Sequence, residues 1–392
     1  MTARSDGKLR IVVLGYIVRG PLGGLAWHHL QYCMGLARLG HEVYFVEDSD
    51  DYASCYDPVR GVTDADPTYG LRFAAATFDR VGLGEKWAFF DAHTSNWRGP
   101  LAPRAQDICK AADLVLNISA INPLRPWTEV VPVRVLIDTD PAFTQVRHLS
   151  DPQACARAHS HNVFFTFGEN FGQPDCLIPD DGLPWRPTRQ PMVLDAWEAT
   201  PGAPAAAFTT VMQWDSYPRR QYGGMSFGMK AESFGAFLEL PRHTTQPLEL
   251  ALGSACAPRD LLRKSGWSLR DPLEVTRDAW RYQEYIRASK GEFGIAKHGY
   301  IVSNSGWFSE RSAAYLASGR PVVVQQTGFR RWLGATAGVA AFSTLEEARA
   351  ALEEVASRYP YHCRAAREVA REWFDSDLVL GKLLDYCFAA PR

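Results

Sequence analysis

The sequence predicts an α/β protein made of two Rossmann-like domains. Three observations carry this. The chain opens β–loop–α–β, the start of a doubly wound sheet. A proline-rich stretch near residue 185 is followed by a second series of strands and helices. Late in the chain, residues 301–329 read as strand, helix and strand with a glycine stop. At 392 residues and 46% hydrophobic content, the chain exceeds one typical core and is apolar enough to fill two.

Residues 9–15 form an apolar run of strand length, buried on both faces. The glycine-rich loop 16–24 ends in Gly23 and Gly24, where a ligand can approach the backbone closely. Over 25–39, Leu25, Leu30, Cys33, Met34 and Ala37 fall at helical spacing, and Gly40 supplies the stop. Residues 42–46 make the second strand. Gly15, Gly20, Gly23 and Gly24 do not fit the GxGxxG spacing of dinucleotide binders, which argues against a nicotinamide cofactor. Residues 50–100 are less regular, with a helix at 73–81. A helix at 104–112 precedes a strand at 113–118 that runs into Ser119. A strand at 133–137 ends in Asp138 and Asp140, and one at 164–167 enters Glu169 and Asn170. Ligands of open α/β sheets bind outside the carboxyl ends of the strands, so Ser119, Asp138, Asp140 and Gln145 share a crevice rim with Gly23 and Gly24. His28 and His29 sit in the first turns of the helix below that rim, where an imidazole can serve as a general base. Turn and capping chemistry is the alternative use of Asp138 and Asp140.

The second half starts with a strand in 208–214 and a long loop rich in Arg and Gly, 215–228. Helices follow at 233–240, 258–265 and 282–289, with a strand at 248–252. Segments 293–296 and 299–302 bracket Lys297. In the late unit a strand ends at residues 303–306, a helix covers 311–317, and Val322, Val323 and Val324 form the next strand. Backbone N–H groups at that helix start, the hydroxyls of Ser309 and Ser312, and the cation of Arg311 suit a phosphate, unless the serines only cap. A helix begins at Thr344, and 364–389 is helical with a break at 375–377. The expected division is a first domain at 1–185, a linker at 186–204, a second domain at 205–375, and a C-terminal helix at 376–392 returning to the first domain.

A net charge of −2, with Lys and Arg spread along the chain, predicts no nucleic-acid partner. No apolar run approaches a membrane span, and the first eight residues lack a signal core, so a cytoplasmic protein is expected. The eight cysteines are scattered without a CxxC pair, which predicts reduced thiols and no metal site.

The order of elements, the Gly-Gly loop, and above all Leu316-Ala317-Ser318-Gly319-Arg320-Pro321-Val322-Val323 resemble the GT-B glycosyltransferases, whose "ACGxPVV" segment this octet matches. The resemblance implies two Rossmann-like domains facing each other across a deep cleft. It also implies transfer of a sugar from a UDP- or dTDP-linked donor to a small-molecule acceptor, without metal or other cofactor. Biosynthesis of a natural product or cell-surface glycoside would be the setting, and a homodimer is left open. Glu310, Thr327 and Gly328 fall where that superfamily meets the sugar or phosphate. The E-x7-E pair of the retaining families is absent, because Gly306 and Ala314 stand at its positions. Under this reading Lys230, Lys297 and Arg311, with Arg219 and Arg220 behind them, are the cations for a diphosphate. Trp267, Trp280 or Tyr282 would clamp the base. An inverting reaction would take its general base from His28, His29, Asp138, Asp140 or Glu169. A nucleotide-sugar 2-epimerase or hydrolase, a non-catalytic nucleotide binder, and a nicotinamide-dependent oxidoreductase are the alternatives.

Overall fold

A computed structural model describes residues 7–389. The outermost parts of the first and last expected segments, 1–6 and 390–392, lie outside the described residues. Two sheets organise the chain. The first has eight strands in the order 186–187, 163–166, 133–138, 114–118, 10–14, 42–48, 87–91, 96–98, all parallel except the last pair. The second has six parallel strands in the order 268–270, 248–253, 208–213, 291–294, 322–325, 339–342. Inner strands of both sheets carry apolar runs because helices cover both faces: Ile11, Val12 and Val13 are fully buried, as are Val322 and Val323.

Two local expectations change. The chain before Ser303 is the short helix His298–Val302, and the strand lies earlier, at Gly291–Gly294. The irregular stretch 50–100 contributes two strands to the first sheet, the inner Trp87–Asp91 and the edge strand Asn96–Arg98. Both strands are short and flanked by turns, which is why they do not read as sheet.

The helix Gly23–Arg38 sits at the centre of the molecule. It packs on the first sheet, on the helix Ala279–Ala288 of the second half, and on the C-terminal helix Ser376–Phe388. A helix enclosed on all sides buries its polar residues too, and His28, His29 and Gln31 are all buried. Small residues permit the close approach. A Cβ on Gly35 would lie 2.5 Å from Leu380, and one on Gly23 would lie 2.3 Å from the Asp278 carbonyl oxygen. Gly23 and Gly24 therefore admit another part of the chain, Asp278 and Tyr282, at the point where ligand approach was expected.

The two halves touch along the loops at the carboxyl ends of the first sheet. Trp27 Nε1–H donates to the Ala279 carbonyl at 2.6 Å, and Asn170 Nδ2–H donates to the Asn304 and Gly328 carbonyls at 2.9 and 3.2 Å. Between these contacts lie two small recesses that open to solvent. The octet around Gly319 is structural in part. Gly319, at φ +69°, ends the helix Glu310–Ala317. Arg320 is buried and donates to the carbonyls of Thr200, Pro201 and Arg287, tying the incoming segment to the second half.

Candidate active site

The helix Glu310–Ala317 separates two recesses at the meeting of the halves. Its N-cap is Ser309, whose Oγ accepts from the Arg311 N–H at 3.1 Å. Residues 310 and 314 are one turn apart and share a face. They line the smaller recess with His28, while Arg311 and Ser312 line the larger one with Ser309 and Thr327.

Arg311 lines the larger side, and Lys230 lies within electrostatic reach of it. Arg311 is buried and donates from Nε to Glu292 Oε1 at 2.6 Å and from Nη1 to the Val211 carbonyl at 2.9 Å. Burial opposes its charge, but the fully buried Glu292 outweighs this and raises its pKa. Lys230, at the start of the short helix Lys230–Phe234, is half-buried and forms no ion pair among the described residues. Burial, then the positive charge of Arg311, pulls its pKa down to about 7. An amine held against its own desolvation beside other cations is arranged for an anion. Thr327 is buried, with its hydroxyl on the Trp307 carbonyl at 2.5 Å. At Gly328, φ is +97° and a Cβ would lie 2.2 Å from Asn304 Oδ1, so only glycine fits. Glu310 is half-buried, and among the described residues its carboxylate receives only a 3.4 Å approach from Ser309.

The candidate bases part company. His28 holds Gln190 Oε1 through Nδ1 at 2.6 Å. Gln190 Nε2 donates to the His28 and Pro191 carbonyls at 3.2 and 3.1 Å. That fixes the amide, makes Nδ1 the protonated nitrogen, and leaves His28 Nε2 with a lone pair. Burial lowers the His28 pKa, partly offset by Glu310, so the ring is neutral. His29 has both nitrogens engaged, Nδ1 with the Leu25 carbonyl at 2.8 Å and Nε2 with the Tyr16 N–H at 3.3 Å. It is a core residue and leaves the list of bases. Asp138 leaves it too. Its buried carboxylate accepts from Thr144, Gln145, Thr166 and the Asp140 N–H at 2.6 to 3.0 Å, which organises the following helix start. Glu169 is ion-paired with Arg189 at 2.6 Å, and Arg189 lies over the rings of Trp332 and Trp373.

Asp140 reaches across to the second half. Lys297 Nζ lies 2.8 Å away, and the hydroxyls of Tyr217 and Tyr300 donate to the same carboxylate. Burial, then Asp140, raises the pKa of both tyrosines. Trp267 is not a base clamp: it is buried between Phe234 and Phe293 and donates to the Leu238 carbonyl at 2.8 Å. Trp280 packs on Trp27 beneath Arg80, and Tyr282 lines the smaller recess. Arg219 is largely exposed beside Glu232. The sequence reading missed Tyr217, Tyr300, Glu292, Gln31, Gln190 and Trp197. None falls in a motif, and only the fold brings them to the site.

Two parallel, Rossmann-like halves meeting at their loop edges, joined by a linker and closed by a C-terminal helix on the first half, define the GT-B architecture. No protein-family model matches the chain, and no curated protein matches it. Solved structures do. An alpha-glucosyltransferase in complex with UDP and a 13-mer DNA superposes with a TM-score of 0.58 at 12% identity, over 97% of this chain and 100% of the other. Anabaena HepE in complex with UDP and glucose gives 0.53 at 11% identity, over 97% and 100%. AviGT4, a glycosyltransferase involved in avilamycin A biosynthesis, gives 0.50 at 15%, over 97% of each chain. At these identities the likeness is one of fold. It corrects one expectation, the exclusion of nucleic acid: four of the similar structures contain DNA, so near-neutral net charge does not remove DNA from the partners this fold can take.

Proposed function

We propose that the protein transfers a sugar from a UDP- or dTDP-linked donor to the hydroxyl of a small-molecule acceptor. The observation that carries the reading is the larger recess. It faces Ser309, Arg311, Ser312 and Thr327, with the unpaired Lys230 in electrostatic reach of Arg311. A diphosphate leaving group accumulates negative charge as its bond to the sugar carbon breaks. Lys230, the start of the helix Glu310–Ala317 and Arg311 would neutralise that charge without a metal. The acceptor oxygen forms the new bond to the same carbon, and its proton must go to a base. His28 Nε2 is the nitrogen with a lone pair available for it.

Isothermal titration against UDP, dTDP, ADP and NADH tests the first step. Binding of UDP or dTDP that survives EDTA is expected, and preference for NADH would remove the reading. A product assay with and without alcohol acceptors separates transfer from hydrolysis or epimerisation. An arm with duplex DNA as acceptor is included, because several structures of similar fold contain it. Glycosylated DNA as the main product would replace the small-molecule acceptor.

A further inference from the structure

Two loops of the second half shape the larger recess. Trp307 lies on one and Thr327 on the other, and both line it. The loops are bonded to each other. The Gly306 N–H donates to the Thr327 carbonyl at 2.7 Å, and the Thr327 hydroxyl donates to the Trp307 carbonyl at 2.5 Å. Both run through left-handed backbone: φ is +49° at Asn304, +75° at Gly306 and +97° at Gly328. Carbonyls in such loops stand outside any ladder and need donors from elsewhere. Here the donors come from the first half. Asn170 is fully buried in the turn after the strand Val163–Thr166. Its Nδ2 donates to the carbonyls of Asn304 and Gly328 at 2.9 and 3.2 Å, and its backbone N–H donates to the Ser305 carbonyl at 3.1 Å.

The fit around this side chain is close. A Cβ on Gly306 would lie 2.8 Å from Asn170 Cγ, and one on Gly328 would lie 2.5 Å from Asn170 Nδ2. Glycine at both positions therefore makes room for Asn170 as well as for the turn of the backbone. Two carbonyls face the same amide nitrogen, which sets the orientation of the amide and leaves its Oδ1 without a partner among the described residues. The turn that carries Asn170 is itself held in the first half: the Phe171 N–H donates to the Gly168 carbonyl at 2.9 Å, and Glu169 pairs with Arg189. Asn170 does not line the recess, so it acts through the loops. We infer that Asn170 is a positioning residue for the ligand of the larger recess: from the first half, it ties loops 304–307 and 327–329 into the shape that the ligand meets. The recess is then complete only while the halves touch. The inference rests on the proposed nucleotide site only for the identity of that ligand.

Asn170→Ala removes both side-chain bonds and leaves the backbone one. UDP affinity by calorimetry should fall about tenfold, a size typical of coupling between linked sites. Stability falls as well, so affinity is read well below Tm. Hydrogen exchange of the ligand-free protein should rise in 304–307 and 327–329. In the wild type, UDP should slow exchange in these loops and also at 169–171 of the first half. Asp175→Ala is the comparison. It breaks the ion pair with Arg331 across the same seam but leaves every donor to the loop carbonyls in place, so UDP affinity should stay within about twofold. Asn170→Leu fills the space without a donor and replaces Asn170→Ala if that variant does not fold. A lower Tm with UDP affinity unchanged overturns the inference, as do equal affinity losses in Asn170→Ala and Asp175→Ala. Protection by UDP that stops at the second half overturns it too. If the wild type binds no UDP, the nucleotide reading falls, and exchange of the ligand-free loops decides: a rise in Asn170→Ala upholds the positioning role, and unchanged exchange ends it.

Discussion

Lys297 Nζ lies 2.8 Å from the carboxylate of Asp140, a residue 157 positions earlier in the chain and in the other half of the molecule. The hydroxyl of Tyr217, 2.8 Å from the same amine, donates to Asp140 as well. One carboxylate thus gathers a cation and two phenols from the opposite side of the interface.

An anionic ligand near Lys297 has to compete with that carboxylate. Asp140→Asn keeps the shape and removes the charge. UDP affinity is expected to rise about three- to tenfold, equivalent to about 0.7–1.4 kcal/mol. Calorimetry at low and moderate salt reads this. Weaker UDP binding in Asp140→Asn would mean that Asp140 orients Lys297 for the ligand.

Arg311 and Glu292 form a buried pair, so Arg311 carries stability before it carries affinity. Arg311→Met leaves a buried, unpaired carboxylate and should cost about 3–5 kcal/mol in urea unfolding. The double variant Arg311→Met with Glu292→Gln should recover a large part of it. A single-variant loss below about 1 kcal/mol would contradict the coupling.

Lys230 has its pKa lowered to about 7 by burial and by Arg311. The folded protein therefore binds fewer protons at this site than the unfolded chain between pH 7 and the ordinary lysine value. Stability gains with rising pH across that window, and Lys230 opposes folding below it. Lys230→Met is expected to raise Tm at pH 7. Binding of a diphosphate should restore the proton, so UDP titrations above pH 7 in buffers of different ionisation enthalpy should report proton uptake. That uptake should vanish in Lys230→Met, and its persistence there would place the titrating group elsewhere.

His28 and His29 are neighbours with different work. His28→Ala should lower turnover by about 10²–10⁴ with little change in UDP affinity, if Nε2 takes the acceptor proton. Because burial depresses the His28 pKa, turnover should persist below pH 6.5 and fall only as the ring protonates. His29→Ala removes a ring whose two nitrogens are both bonded in the core, so its effect should appear as lower Tm. A larger turnover loss in His29→Ala than in His28→Ala, with Tm unchanged, would reverse the assignment.

The sequence by itself determined the two α/β halves, most of their core strands and helices, and the stop of the late helix at Gly319. Those features are local: apolar runs of strand length, helical spacing, and glycine at a left-handed position. It grouped Ser309, Arg311 and Ser312 at the start of the late helix, and the family resemblance added Thr327; these four line one recess. Only the tertiary structure decided that Asp138 and His29 are consumed by their own surroundings, that Trp267 is core, and that Gly23 and Gly24 admit Asp278 and Tyr282. Only it brought Gln31, Gln190 and Trp197 to His28. Some of these neighbours are remote, as Gln190 is from His28 by 162 positions, and others are near in sequence, as Leu25 is to His29; in both cases burial and hydrogen-bond saturation follow from how the folded backbone places the groups, which periodicity along the chain does not encode.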